Sequence, residues 1–249
     1  MPGMNYNWHW NVFWEPSPDG SGTYLTTLLR GLCWTLAVSG LAWLMALLVG
    51  LVVGVLRTGG PRWLQTLCIG YVELFRNIPL LVQMFLWYFV VPELLPASWG
   101  QAVKSMDPVW GSFWTAVVCL GLFTSARIAE QIRAGIFSLP HGQILAATAL
   151  GLRSWQAYRY VLLPITVRII LPPLTSEALG LIKNSAIAFT IGLMEITGAA
   201  RSMQEFSFHI FEAFAAATLL YVVINLVVVL LMRWLERRLR MPGYMGTQA

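Results

Sequence analysis

Apolar residues in this chain fall into long unbroken blocks, without the short periods of a half-buried strand or an amphipathic surface helix. The block 31–56 contains no Asp, Glu, Lys or Arg, and a helix needs about 20 apolar residues to cross a hydrocarbon core. Four further blocks, 64–91, 109–133, 161–193 and 214–232, have similar length. The pattern predicts an all-α membrane protein with about five transmembrane helices. The polar positions divide these spans into two kinds. Spans one and five carry no charge and suit contact with lipid. Span two holds Glu73, Arg76 and Pro79, span three Arg127 and Glu130, and span four Arg168, Pro172, Pro173, Glu177 and Lys183. Ionisable groups cost about 2.5–3.5 kcal/mol each in hydrocarbon on insertion scales, so they face protein or a wet path. Spans two to four are therefore expected to form an inner layer.

Composition supports the same class. Hydrophobic residues make up 57% of the chain and charged ones 11%, against roughly 25% charged in an ordinary soluble domain; the mean hydropathy is +0.67. The net charge of +5 would suggest nucleic acid in a soluble protein. Here the basic residues sit at the ends of apolar blocks, the pattern of an orientation signal, and no nucleic-acid partner is expected. Arg57, Arg62, Arg133, Arg153, Arg159, Arg233, Arg237, Arg238 and Arg240 fall on one side of a five-span arrangement, with Arg30, Lys104 and Arg201 on the other. The amino terminus is then outside and the carboxyl terminus cytoplasmic. The expected organisation is an external or interfacial segment 1–30, a membrane domain 31–235 and a cytoplasmic tail 236–249. The first 23 residues lack Lys and Arg, so no cleavable signal is expected; Trp8, Trp10 and Trp14 suit the membrane–water interface. Cys33, Cys68 and Cys119 are isolated in apolar surroundings and read as packing residues, and no metal ligands are expected. His9, His141 and His209 are far apart in the sequence. Neither a phosphate-binding glycine loop nor a nucleophile with a base stands out, so no catalytic residues are assigned.

The cytoplasmic loop 136–164 is the most informative segment. Within it, SLPHGQILAATALGLRSWQAYRYVLLP reads as two short helices separated at Gly151, bounded by Pro140 and Pro164. Ile144, Ala147, Ala149 and Leu150 are expected to form one small apolar surface, and Arg153, Gln156, Arg159 and Tyr160 a basic and aromatic second half. A short rigid knob of this kind suits a groove on a soluble partner.

This loop resembles the coupling loop of ABC-importer permeases, with Ala146, Ala147, Gly151, Leu163 and Pro164 on the family pattern and Arg153 and Arg159 beside it. Leu145 stands where the family has glutamate, so docking is expected to rely chiefly on shape and apolar contact. YVELFRNIPLLVQ (71–83), RIAEQIRAGIFSLPHGQ (127–143) and RIILPPLTSEALGLIKNS (168–185) are similar to the polar amino-acid branch of that family, and the resemblance spans roughly 31–240. It implies a type I ABC-importer permease fold in a bacterial inner membrane, with no enzymatic activity or cofactor in this chain. ATP and magnesium would be held by a partner ATPase subunit. A second permease subunit, distinct or identical, would share the path, and a periplasmic substrate-binding protein would deliver the cargo.

Within that branch Arg127 replaces a tyrosine. A guanidinium can hold a carboxylate through two parallel hydrogen bonds, so the resemblance points to an acidic amino acid, glutamate or aspartate. Glu130, Lys183 and Asn184 are the other candidates along the path. Alternatives stand beside these assignments. Arg127 and Glu130, three apart, can neutralise each other; Glu73 and Arg76 read as a structural pair, and Lys183 can pair with Glu177. At the level of function, the alternatives are a permease for glutamine or histidine, an ion-coupled secondary transporter, and a membrane-embedded enzyme.

Overall fold

The computed structural model describes residues 6–18, 20 and 22–239, with the side chains of His141 and Ile144 left aside. The sequence readings at residues 1–5, at Arg240 and over the remaining tail, and those resting on the His141 and Ile144 side chains, lie outside the described residues. A 3₁₀ turn at Trp10–Trp14 precedes α1 (Tyr24–Gly59). There follow α2 (Arg62–Asn77), α3 (Leu80–Leu94), α4 (Ala97–Lys104), α5 (Pro108–Phe137) and α6 (His141–Ala149). The chain continues through α7 (Ser154–Ile191), α8 (Ile196–Ser207) and α9 (Ile210–Leu239). Among the described residues α1, α5, α7 and α9 are each long and apolar enough to cross a membrane; counting α2 and α3 as one bent span gives five.

Three expectations about the helices change. The first begins at Tyr24, so residues 24–30 belong to α1 and the preceding segment is shorter than 1–30. The second span is not one rod: α2 and α3 meet at 105°. Pro79 explains the break, because a residue before proline is pushed out of the helical region, and Ile78 is extended at φ −92°, ψ 130°. The fourth span begins at Ser154. The second half of the loop is therefore the first part of α7, not a separate helix. Where α3 and α7 approach a proline, the helix widens into a π turn, at Leu86–Val90 before Pro92 and at Tyr158–Leu162 before Pro164. Each turn contains the carbonyl four residues ahead of its proline, which an α-helical proline ring would strike.

The chain forms two compact units, each built from halves of the long helices: Met1–Leu41 with Leu81–Cys119 and Ile182–Asn225, and Ala42–Leu80 with Leu120–Leu181 and Leu226–Ala249. In the second unit Ala46, Ile128, Ile132, Ile136, Ile170 and Leu174 make a buried apolar cluster. In α1, Gly50 and Gly54 let α5 come close. A Cβ on either would lie 2.8 Å from the Cβ of Ile128 or Ile132. This is the small-xxx-small packing of membrane helices. In the most apolar 18-residue window of each span, 56% of residues are buried in α5 and 39% in α7, against 28% in α1 and 11% in α9.

In the first unit two buried carboxylates secure the chain. Glu212 accepts hydrogen bonds from the Tyr6 hydroxyl at 2.5 Å and the His9 backbone N–H at 2.7 Å. This ties the segment carrying Trp8 and Trp10 to the start of α9. Glu195 caps α8, accepting from the Gly198 N–H at 2.9 Å and from the Tyr221 hydroxyl at 2.7 Å. Tyr6, outside the spans, is pushed up to about 12, chiefly because its hydroxyl donates to the Glu212 carboxylate.

Candidate functional site

The ion pairs of the second unit fall into two separate groups among the described residues. Glu130 on α5 is the centre of the first. Its Oε1 accepts from Arg133, at 2.5 Å from Nη2 and 2.9 Å from Nε. Its Oε2 accepts from Arg57 Nη1 of α1, and Arg76 Nη1 of α2 stands 3.9 Å from the same oxygen. Three arginines from three helices thus converge on one carboxylate that is mostly enclosed, with a side-chain exposure of 23% against 13% for Arg57. Glu130 ties helices together here, and Arg76 turns towards it, not to Glu73 as the sequence suggested.

Arg127 is the centre of the second group. Its Nε donates to Glu177 Oε2 at 2.7 Å, and Gln131 Nε2 donates to the other Glu177 oxygen at 3.0 Å. The expected local pair between Arg127 and Glu130 does not form. Helical side chains lean towards the amino terminus, so an acid pairs better with a base that follows it than with one that precedes it. Glu130 accordingly takes Arg133 and leaves Arg127 to α7. Glu177 is thereby occupied, so the suggested pairing of Lys183 with Glu177 is replaced as well. The Arg127 side chain remains 49% exposed, and its two terminal nitrogens meet no acceptor among the described residues. It also lies over the Phe123 ring, 5.9 Å from the centroid.

Lys183 and Asn184 close the α-helical part of α7, where it tightens into a 3₁₀ turn over Ser185–Ile191. Lys183 is exposed and Asn184 half-buried. They belong to the first unit and Arg127 to the second.

The loop joining α5 to α7 is built around a left-handed turn. α6 starts after Pro140 and ends where the Leu152 N–H donates to the Ala147 carbonyl at 3.1 Å and the Gly151 N–H to Thr148 at 2.9 Å. Gly151 sits at φ +75°, the conformation glycine adopts without a side-chain penalty. α7 is then capped locally, the Arg153 N–H donating to Gln156 Oε1 at 2.8 Å. The apolar face of α6 differs from the sequence reading. Ala147 is 2% exposed and points inward, whereas Leu145 is 68% and Leu150 81% exposed, with Ala146 and Ala149 also outward. At about 100° per residue, Ala147 lies on the opposite side from Leu145. Arg153 and Arg159 are exposed, and Leu163 and Pro164 are half-buried in the first turns of α7.

A bent pair of helices, two long spans with internal charges or prolines, and an exposed α6 turning at Gly151 can be compared with known families. The model of the binding-protein-dependent transport system inner membrane component family matches residues 46–241. The chain belongs to this family. Among its relatives, this permease is 50% identical over 244 residues to the glutamate/aspartate import permease protein GltJ of Escherichia coli, covering 98% of this chain and 99% of that one. It is 31% identical to the glutamine transport system permease protein GlnP of Escherichia coli, covering 93% of this chain and 97% of that one. A solved structure described as an amino acid ABC transporter with histidines superposes with a TM-score of 0.73 at 31% identity, covering 86% of this chain and 95% of that one. The inward-facing methionine ABC transporter MetNI, at 20% identity and a TM-score of 0.71, shares the permease fold.

Sequence reasoning missed three features of this permease. The glycine pair had a signal in GLVVG, a GxxxG inside an apolar block. Two of the three arginines around Glu130, Arg57 and Arg76, come from helices distant in sequence, and the burial of Glu195 and Glu212 has no local signature.

Proposed function

We propose that this chain is the membrane subunit through which glutamate or aspartate is imported, driven by ATP hydrolysis in a separate subunit. The observation that carries the reading is the 50% identity, over 98% of the chain, to a permease named for those two amino acids. The half-exposed Arg127 adds physical support: with Nε committed to Glu177, its outer nitrogens remain able to bind a carboxylate. Lys183 and Asn184 are assigned to the same path, and Glu130 to its scaffold. Glutamine is the second reading, at 31% identity to its permease.

The working assembly in this proposal contains two permease subunits, an ATPase pair holding ATP and magnesium, and an external binding protein. The external amino terminus and cytoplasmic carboxyl terminus follow from the Lys and Arg distribution. This orientation places α6 in the cytoplasm, where Leu145, Ala146, Ala149 and Leu150 would enter an ATPase groove, with Arg153 and Arg159 alongside. Leu163 and Pro164 would carry the motion into α7.

The decisive experiment is reconstitution of the assembly in proteoliposomes with its binding protein. Glutamate and aspartate should stimulate ATP hydrolysis and accumulate inside, whereas glutamine and histidine should not. Stimulation by glutamine alone would overturn the acidic reading. Arg127→Gln retains a donor for Glu177 but removes the cation. It is expected to lower glutamate uptake roughly tenfold, the scale of one charged hydrogen bond, without reducing the yield of assembled complex. Unchanged uptake would remove Arg127 from the path. At the coupling turn, Gly151→Val forces a β-branched residue to φ +75°, a cost of roughly 1–2 kcal/mol. It should reduce glutamate transported per ATP several-fold, more than Leu145→Glu does. Equal effects would show that the turn is not the sensitive element.

A further inference from the structure

One groove in the second unit borders the proposed coupling segment, sharing Arg159, Leu163 and Pro164 with it, but Val167, Arg168 and Leu239 have no part in the coupling reading. It lies between the last turn of α9 and the beginning of α7, encloses about 290 Å³, and is lined by Arg159, Leu163, Pro164, Val167, Arg168 and Leu239. Four of the six residues are apolar and two are arginines. The Arg168 Nη1 is buried and meets no hydrogen-bond partner among the described residues. A buried donor of that kind costs free energy unless something accepts from it. On α9, which supplies Leu239 to the groove, Val227, Leu230, Leu231 and Trp234 are exposed along a helix long and apolar enough to cross a membrane. Arg238 covers the Trp234 ring at 4.6 Å from its centroid, and Arg233 and Arg237 follow on the same terminal turns.

From these observations we infer that the groove is a binding site for one anionic phospholipid of the cytoplasmic leaflet. The phosphate oxygens accept from Arg159 and from Arg168, whose guanidinium turns to present its unpartnered Nη1 to the groove, and an acyl chain lies along Leu163, Val167 and Leu239. Basic pockets between membrane helices on the cytoplasmic side favour anionic headgroups; a phosphocholine has the same phosphodiester but adds a quaternary ammonium that two arginines repel. An acidic segment of the ATPase could offer carboxylates, but it would bring no apolar tail for the remaining wall. The lipid therefore fits the chemistry of the whole groove. The inference uses the orientation proposed above, but none of its readouts depends on the transported substrate.

The test uses the complete assembly, purified and equilibrated with nanodiscs of phosphatidylglycerol and phosphatidylcholine at equal proportion, followed by native mass spectrometry. Phosphatidylglycerol should be retained selectively, at one molecule per copy of this chain. Arg168→Gln should lower that retention at least fivefold and Arg159→Gln should lower it less. Arg62→Gln, an exposed cation outside the groove, should leave it unchanged. Arg168→Lys keeps the charge and should preserve part of the binding, separating headgroup recognition from a folding defect. Equal retention of the two lipids, or equal loss in Arg62→Gln and Arg168→Gln, overturns the inference. Selective retention by the isolated permease but none by the full assembly also overturns it, because the groove would then belong to the ATPase interface. Failure of glutamate to stimulate hydrolysis would defeat the transport reading and leave the lipid result standing.

Discussion

Replacing Glu130 with alanine is expected to destabilise the permease by about 3 kcal/mol, the scale for removing one partner of a largely buried ion pair. The carboxylate receives Arg133 through two nitrogens and Arg57 from α1, and Arg57 is the more enclosed partner. Arg57 Nε already lacks a partner among the described residues, so losing Glu130 would leave most of that guanidinium unpaired. Thermal unfolding in detergent, followed by the loss of monodisperse protein, measures the effect. Arg76→Ala is the informative comparison: Arg76 is 3.9 Å away and half-exposed, and its removal should cost less than about 1 kcal/mol. Combining Glu130→Leu with Arg57→Met should recover much of the stability, since replacing both charges removes the stranded cation. A Glu130→Ala protein as stable as the unaltered one would show that the arginines are satisfied elsewhere.

Substituting leucine for Gly54 is expected to be the next most damaging change. A Cβ there would stand 2.8 Å from Ile132 Cβ and 3.1 Å from the Ala129 carbonyl oxygen, and neither neighbour is the flexible end of a side chain. α1 and α5 would have to separate, opening the cluster of Ala46, Ile128 and Ile132. Overpacking of this kind costs about 1–3 kcal/mol and sometimes more. Fluorescence-detected size-exclusion chromatography should show a collapsed monodisperse peak for Gly54→Leu. Gly40→Leu should preserve the peak, because among the described residues nothing lies within 4 Å of a Cβ there. Similar profiles for the two variants would show that α1 and α5 do not depend on this approach.

The helices themselves were legible because the bilayer imposes a length and an apolar composition that the sequence displays directly. The turn at Gly151 was legible too: a glycine between two helical patterns marks a left-handed position, and the structure places it at φ +75°. Proline had a readable local effect but an unreadable consequence. Pro79 marked a disturbance, yet only the structure shows that it bends the span by 105°. Pro164 leaves its helix continuous, because a π turn absorbs the ring. The inward face of α6 was misread because that helix carries no Asp, Glu, Lys or Arg to fix its rotation.

Charge partners were the least legible feature. Sequence spacing proposed Arg127 with Glu130, Glu73 with Arg76 and Glu177 with Lys183, since only local neighbours can be counted along a chain. The structure instead joins Glu130 to Arg57 of a distant helix, beside a local partner in Arg133 that was not picked out, and joins Arg127 to Glu177. Long-range attraction inside a packed bundle outweighs the few tenths of a kcal/mol offered by a pair on one helix surface. The sequence alone determined the membrane class, the number of spans to within the bent pair, and the coupling-loop motif. Those follow from hydropathy and backbone chemistry, which act locally. The tertiary structure alone decided which carboxylate each arginine meets, which face of α6 is free, and that α1 and α5 touch through two glycines. Those depend on which helices lie side by side.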